Sequence, residues 1–138
     1  MGLDSILLIE DERINAMAFQ KGLTRVSSTT KLTIRETAED GLAYLRGEIK
    51  IPDIIVLDLN LPKMHGIDFL KMVKSDDKFK RIPVIVLTTS SNQQDKIDCF
   101  NAQVAGYFIK PLDYFDLIKS IFEYWTNSEF AYPAKLSV

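Results

Sequence analysis

Residues 54 to 62 read Ile54-Ile55-Val56-Leu57-Asp58-Leu59-Asn60-Leu61-Pro62: four consecutive apolar residues, then a carboxylate, then a short segment closed by proline. Four apolar residues in a row, two of them Ile and one Val, are too short for a helix and too continuous for a strand with one wet face. They predict a strand buried on both sides, as in a parallel sheet covered by helices. Similar runs lie on either side of it: Ile6-Leu7-Leu8-Ile9, Val84-Ile85-Val86-Leu87 and Tyr107-Phe108-Ile109. Leu32-Thr33-Ile34 is a weaker fifth strand, expected nearer an edge.

Between the runs, apolar residues recur at helical spacing: Ala16, Phe19, Leu23 and Val26, then Ala38, Leu42, Leu45 and Ile49, then Ile67, Leu70 and Val73. Ile97, Phe100 and Val104 form a fourth stripe, and Ile118, Ile121, Phe122 and Trp125 a fifth. Each stripe is expected to face the sheet. Parallel neighbours require crossover helices, and only right-handed crossovers pack well. The expected architecture is therefore α/β, a doubly wound, flavodoxin-like (βα)5 domain with a five-stranded parallel sheet in the order 2-1-3-4-5. The domain should span residues 3–126; residues 127–138, which include Pro133 and show no period, read as a C-terminal tail.

The chain's 138 residues suit one domain with one core. Seventeen basic and nineteen acidic side chains give a formal charge of −2, so no global basic field is available to bind nucleic acid. A single cysteine, Cys99, rules out an internal disulfide framework and any zinc-ligand spacing, and cytoplasm is the default localisation. The apolar run at 6–9 is far too short for a signal-peptide core or a membrane span, so no membrane association is expected.

In open α/β sheets, ligands bind beyond the carboxyl ends of the strands. Those ends carry Glu10 and Asp11 after the first run, Asp58 after the third, Thr88 after the fourth and Lys110 after the fifth. A buried run must end in something polar, but three carboxylates, a hydroxyl and an ammonium on one rim are more than that requirement explains. Carboxylates crowded together predict either raised pKa values or a bound divalent cation. Oxygen-only ligands favour Mg²⁺, which keeps several waters and commonly bridges to phosphate. A carboxylate that accepts a phosphoryl group needs its equatorial oxygens neutralised more than it needs an acid or a base. Mg²⁺, the Lys110 ammonium, the Thr88 hydroxyl and backbone N–H groups are suited to that task. Asp58 is the best acceptor, because it follows the most apolar and so most central strand.

Taken with their order and spacing, four motifs resemble the receiver domains of two-component response regulators over residues 5–126: Leu8-Ile9-Glu10-Asp11, Val56 to Pro62 with Gly66 following, Pro83 to Thr88, and Gly106-Tyr107-Phe108-Ile109-Lys110-Pro111. The resemblance implies a phosphoacceptor at Asp58, an acidic metal pair at Glu10 and Asp11, and a backbone carbonyl ligand at Asn60. It also implies a switch hydroxyl at Thr88, a phosphate-contacting Lys110, an aromatic at Tyr107 whose rotamer responds to Thr88, and a cis bond before Pro111. Leu87-Thr88-Thr89-Ser90, Arg81-Ile82-Pro83 and the aromatic end of the last helix are similar to the small stand-alone regulators that partner bacterial phytochrome kinases. Thr89 stands where receivers usually carry a smaller residue, which is expected to narrow access to an acyl phosphate and slow its turnover. His65 reads as an exposed turn residue and Asp53 as a turn or cap.

Nine of the fourteen aromatics lie between Tyr107 and Tyr132, more than one helix can bury. Part of this set is expected either to form an exposed patch or to be covered by the tail. The implied function is that of a single-domain switch rather than an enzyme. Asp58 receives phosphate from a sensor histidine kinase or phosphotransfer protein, and output is by protein contact, with a homodimer through the fourth helix, fifth strand, fifth helix and tail as one expected form. Two alternatives remain. An aspartate-dependent phosphatase of haloacid dehalogenase type uses Asp, Thr, Lys and Mg²⁺ but opens with Asp-x-Asp, which the first strand lacks. A flavodoxin-like carrier needs a phosphate cradle where Glu10 and Asp11 would repel the anion.

Overall fold

The computed structural model describes residues 2–47, 50–110 and 113–126. In chain order the elements are β1 (Ser5–Ile9), α1 (Arg13–Val26), β2 (Lys31–Arg35), α2 (Ala38–Gly47), β3 (Ile54–Leu57), α3 (Gly66–Ser75), β4 (Val84–Thr88), α4 (Gln93–Asn101), β5 (Gly106–Ile109) and α5 (Tyr114–Thr126). All strand pairs are parallel, in the order β2-β1-β3-β4-β5. The fold expected from the apolar runs is the fold observed. Its sheet is flavodoxin-like, with β3 in the middle.

Alternation along the strands divides the core in two. Leu7, Ile9, Ile55, Leu57, Val84 and Val86 turn to the face covered by α2 and α3, while Ile6, Leu8, Ile54, Val56, Ile85 and Leu87 turn to the face covered by α1 and α5. Successive side chains on a strand point to opposite faces, so a run apolar at every position supplies both cores at once. At Gly22, α1 and α5 come into close contact: a Cβ there would lie 3.0 Å from Ile118 Cδ1 and 3.2 Å from the Phe115 nitrogen. Phe19 meets Tyr114 edge-on across the same interface.

Two expectations fail on the β4–β5 side. Tyr107-Phe108-Ile109 is not buried on both faces: β5 is an edge strand, with Phe108 38% and Ile109 46% exposed. Its apolar run is indistinguishable by composition from that of a central strand, and only the order of the sheet separates the two. The stripe Ile97, Phe100 and Val104 does not face the sheet either. Ile97 is 42% and Phe100 51% exposed, Cys99 is the one buried residue of α4, and Val104 follows the helix and packs against the core. With only nine residues, α4 can meet the core through a single small side chain. Ile49, Pro111 with the cis bond expected before it, and the tail 127–138 lie outside the described residues.

Asp53, expected as a turn or cap, ties two strand starts together: its carboxylate accepts the Asp4 and Ser5 backbone N–H groups at 2.8 and 3.2 Å. Among the described residues, no helix is long and apolar enough to cross a membrane.

Candidate functional site

The register of the sheet fixes what meets at its carboxyl edge. Ile9 is level with Leu57, Leu57 with Val86, and Thr88 with Ile109, so the residues that follow these strands are delivered to one rim. Backbone bonds continue the ladder one step further: Asp58 N–H donates to the Ile9 carbonyl at 3.1 Å, and Lys110 N–H to the Thr88 carbonyl at 2.8 Å. The loops, rather than the strands, begin only beyond these pairs.

Glu10, Asp58, Thr88 and Lys110 are the buried polar residues of the protein among those described. The Lys110 Nζ lies between two carboxylates, 2.5 Å from Glu10 Oε1 and 3.3 Å from Asp58 Oδ2. Carboxylate oxygens of Glu10, Asp11 and Asp58 all fall within 4.8 Å of one another. Asp11 Oδ1 is buried and accepts no hydrogen bond. An orphaned buried acceptor of this kind requires an explanation, and a bound cation is the usual one where neighbouring donors are oxygens. The residues present therefore fit a divalent metal: three acidic side chains, one with a free inward oxygen.

Crowding shows in the acid–base chemistry. Burial, together with the charge of Asp58, pushes the Glu10 carboxyl up to about 7 against the lowering effect of its bond to Lys110. Burial would lower the Lys110 ammonium, but the bond to Glu10 and the charges of Asp58 and Glu10 outweigh it and hold it above the ordinary lysine range. Of the two outcomes expected from crowded carboxylates, the raised Glu10 carboxyl is the first, and the oxygen set that would give the second, a bound cation, is present as well.

The loop after β3 is shaped around Asp58. Asn60 N–H donates to Asp58 Oδ1 at 3.0 Å, and Gly66 N–H to the Leu59 carbonyl at 2.9 Å. Gly66 has no room for a side chain, because a Cβ would lie 2.6 Å from both the Asp58 carbonyl oxygen and the Leu59 Cα. His65 is not an exposed turn residue: it is half-buried and caps α3, its Nδ1 accepting the Ile67 N–H at 3.1 Å.

Thr88 Oγ1 accepts from the Asn60 side chain at 3.3 Å and from Ser90 N–H at 3.1 Å. The Asn60 amide also reaches Thr89 Oγ1 at 3.2 Å, so a hydrogen-bonded bridge joins the β3–α3 and β4–α4 loops. Tyr107 is half-buried, with its hydroxyl on the Ser90 carbonyl at 3.0 Å. The structure brings Glu10, Asp11, Asp58, Asn60, Thr88 and Lys110 together and ties Tyr107 to their margin. Asn60's side-chain bridge, Ser90 and the α3 cap at His65 were not found by reasoning from strand ends, because each acts through a bond between loops that no local pattern announces.

Residues 6–122 match the family model described as the response regulator receiver domain. Response regulator Rcp1 of Synechocystis is 35% identical over 131 residues, covering 89% of each chain, and a crystal structure of the Mn(2+)-bound form of Rcp1 superposes with a TM-score of 0.80 at 33% identity, covering 91% of this chain and 96% of that one. The phosphorylated cyanobacterial phytochrome response regulator RcpA gives a TM-score of 0.84 at 34% identity over 94% of this chain and 98% of its own. The probable methanogenesis regulatory protein FilR2 of Methanothrix harundinacea is 35% identical over 127 residues, 87% of this chain and 82% of that protein. The chain belongs to the response regulator receiver family, as a phosphoacceptor switch rather than a catalytic enzyme, and its acidic triad is typical of the divalent metal site of that family.

Proposed function

We propose that Asp58 of this receiver accepts a phosphoryl group from a phosphohistidine of a sensor histidine kinase or phosphotransfer protein. In that step the donor's N–P bond breaks, an Asp58 Oδ–P bond forms, and the imidazole leaves with its electron pair. The observation that carries the reading is the placement of Lys110 Nζ against both Asp58 and Glu10, beside the unpartnered Asp11 oxygen. One side of the pocket supplies fixed positive charge and the other a vacant anionic acceptor.

Glu10, Asp11, Asp58 and the backbone of Asn60 would hold Mg²⁺, which when bound supplies positive charge against the phosphoryl oxygens. Lys110 neutralises a further oxygen, and the Thr88 hydroxyl is within reach of the same rim once it exchanges its Asn60 partner. Thr88 and Tyr107 carry the change outward by shifting a pre-existing equilibrium. The exposed residues Ile97, Phe100, Phe108, Ile109 and Tyr124 on α4, β5 and α5 mark the face for output, through a protein partner or a second copy of the chain. Likeness to Rcp1 and RcpA favours a phytochrome-type kinase as donor. The tail 127–138 is proposed to lie outside the 3–126 domain.

Acetyl phosphate with Mg²⁺ is expected to add one phosphoryl group to the wild-type chain and none to Asp58→Ala. Equal labelling of the two would end the reading. A size-exclusion run with and without beryllofluoride tests the output: a gain in apparent mass makes self-association the response, and an unchanged mass assigns the face to a different partner.

A further inference from the structure

One residue of the β4–α4 loop uses every polar group it has. Ser90 N–H donates to the Thr88 hydroxyl at 3.1 Å, and the Ser90 carbonyl accepts the Tyr107 hydroxyl at 3.0 Å. The Ser90 hydroxyl donates to Asp95 Oδ2 at 2.7 Å and accepts the Asn92 N–H at 3.2 Å. The N–H and C=O flank a single Cα, so one φ/ψ pair sets the spacing between the anchors for β4 and β5. The hydroxyl, held from α4, fixes that pair.

Asp95 lies in the first turn of α4, where a carboxylate is already favoured by the helix dipole and could remain in water. It is instead half-buried and turned to the loop, and its charge reaches inward far enough to push up the Tyr107 and Cys99 acid groups alongside the effect of burial. Asn92 already caps the helix by accepting the Gln94 and Asp95 N–H groups. The Asp95 carboxylate is therefore not needed as a cap. Its short bond to Ser90 is charge-assisted and stronger than a bond between neutral groups.

We propose that Asp95 is a positioning residue: by holding the Ser90 hydroxyl it locks the one backbone unit that touches both Thr88 and Tyr107, so that these two groups and α4 move together. The proposal rests on the phosphoacceptor reading for its role in signalling, but the lock itself exists in the resting protein. It differs from a merely structural bond in what it predicts for Tyr107, which Asp95 controls through Ser90, by the Ser90 hydroxyl on one side and the Ser90 carbonyl on the other.

The test uses the full chain as wild type, Ser90→Ala, Asp95→Ala, Asp95→Asn and the Ser90→Ala/Asp95→Ala double variant. Amide hydrogen exchange is followed across α4, and Tyr107 by NMR of ring-labelled tyrosine, with and without Mg²⁺ and beryllofluoride. In the resting state Asp95→Ala is expected to raise exchange in the first turn of α4 about tenfold, Ser90→Ala at least as much because it also removes the Asn92 N–H bond, and the double variant no further than Ser90→Ala, since the Ser90–Asp95 bond is already gone in it. On adding beryllofluoride, both alanine variants should bind it, yet the Tyr107 response should fall several-fold relative to wild type. Asp95→Asn, which keeps an acceptor oxygen, should recover most of that response. Additive effects in the double variant, or a full Tyr107 response in Asp95→Ala, would overturn the proposal. If wild type fails to bind beryllofluoride, the phosphoacceptor reading fails, while resting exchange and the double variant still decide whether the lock exists.

Discussion

Lys110→Met removes the cation that, among the described residues, pairs with both Glu10 and Asp58, whose side chains are 4% and 6% exposed, and the consequence should depend on pH. Breaking a buried ion pair by deleting one partner costs about 3–5 kcal/mol, because the remaining charge is left uncompensated. Glu10 can escape part of that cost by taking up a proton. Its pKa stands at about 7 with Lys110 present, and the lysine's bond and charge, with a smaller contribution from the Glu12 N–H, hold it down against burial and Asp58. Without them it must climb higher. A carboxyl raised above its unfolded value contributes stability that is full below the unfolded pKa and is lost as pH rises through the folded one. In wild type that loss is complete just above pH 7; in the variant it continues beyond. At about pH 6.5 Glu10 is largely protonated in both proteins and adds little to the difference between them. Above 7 the gap should widen by up to ~1.4 kcal/mol per pH unit. Urea unfolding without metal, followed by far-UV circular dichroism, should therefore show a destabilisation about 2 kcal/mol larger at about pH 8.5 than at about pH 6.5, with unchanged m-values. Lys110 itself adds no slope in this window, since its folded pKa lies above the ordinary lysine range. A gap that is constant or narrows at high pH would refute the electrostatic account of the pocket.

Gly66→Ala should destabilise by about 2 kcal/mol and lower the Tm by about 5 °C, because the added methyl meets backbone atoms at 2.6 Å that cannot rotate away. Gly47→Ala, at the end of α2 with nothing within 4 Å of a Cβ, should instead be neutral or stabilise by up to about 1 kcal/mol; thermal melts of the pair check the contrast. Asp11→Asn should weaken Mn²⁺ binding at least ~10-fold in a water-proton relaxation titration while the metal-free fold is retained, since a ligand of lower charge binds a hard cation less tightly. Unchanged affinity would remove Asp11 from the metal site. Burial pushes the Cys99 thiol up to about 11, so it should react with a thiol reagent at about pH 8 at least ~100-fold more slowly in the folded chain than in urea. Comparable rates would place Cys99 at the surface.

How far the sequence carries can be seen by comparing β3 with β5. Ile54-Ile55-Val56-Leu57 and Tyr107-Phe108-Ile109 both read as buried runs, and only the first is. The difference lies in the sheet order, a property of the whole chain. Phe108 and Ile109 lie on β5, which among the described residues is bordered by β4 alone, and local composition carries no signal for a missing neighbour. The same holds for Ile97 and Phe100, whose spacing suits a core-facing stripe while the helix meets the sheet through Cys99. Both misreadings fall on one surface, and in the same direction: apolar residues expected inside are found outside. A strand end, by contrast, is legible, because a parallel strand must stop where its ladder stops and its next residue must emerge at the rim. Glu10, Asp11, Asp58, Thr88 and Lys110 were all placed by that rule. What lay beyond it were the bonds between loops, Asn60 to Thr88 and Thr89, and Ser90 to Tyr107 and Asp95, which depend on how far apart two strands set their loops. The pocket's chemistry is thus set by strand ends, while its link to the exposed α4–β5–α5 face runs through loop contacts. Substitutions in those loops should therefore alter the response at that face with little change in divalent-ion affinity at the acidic cluster.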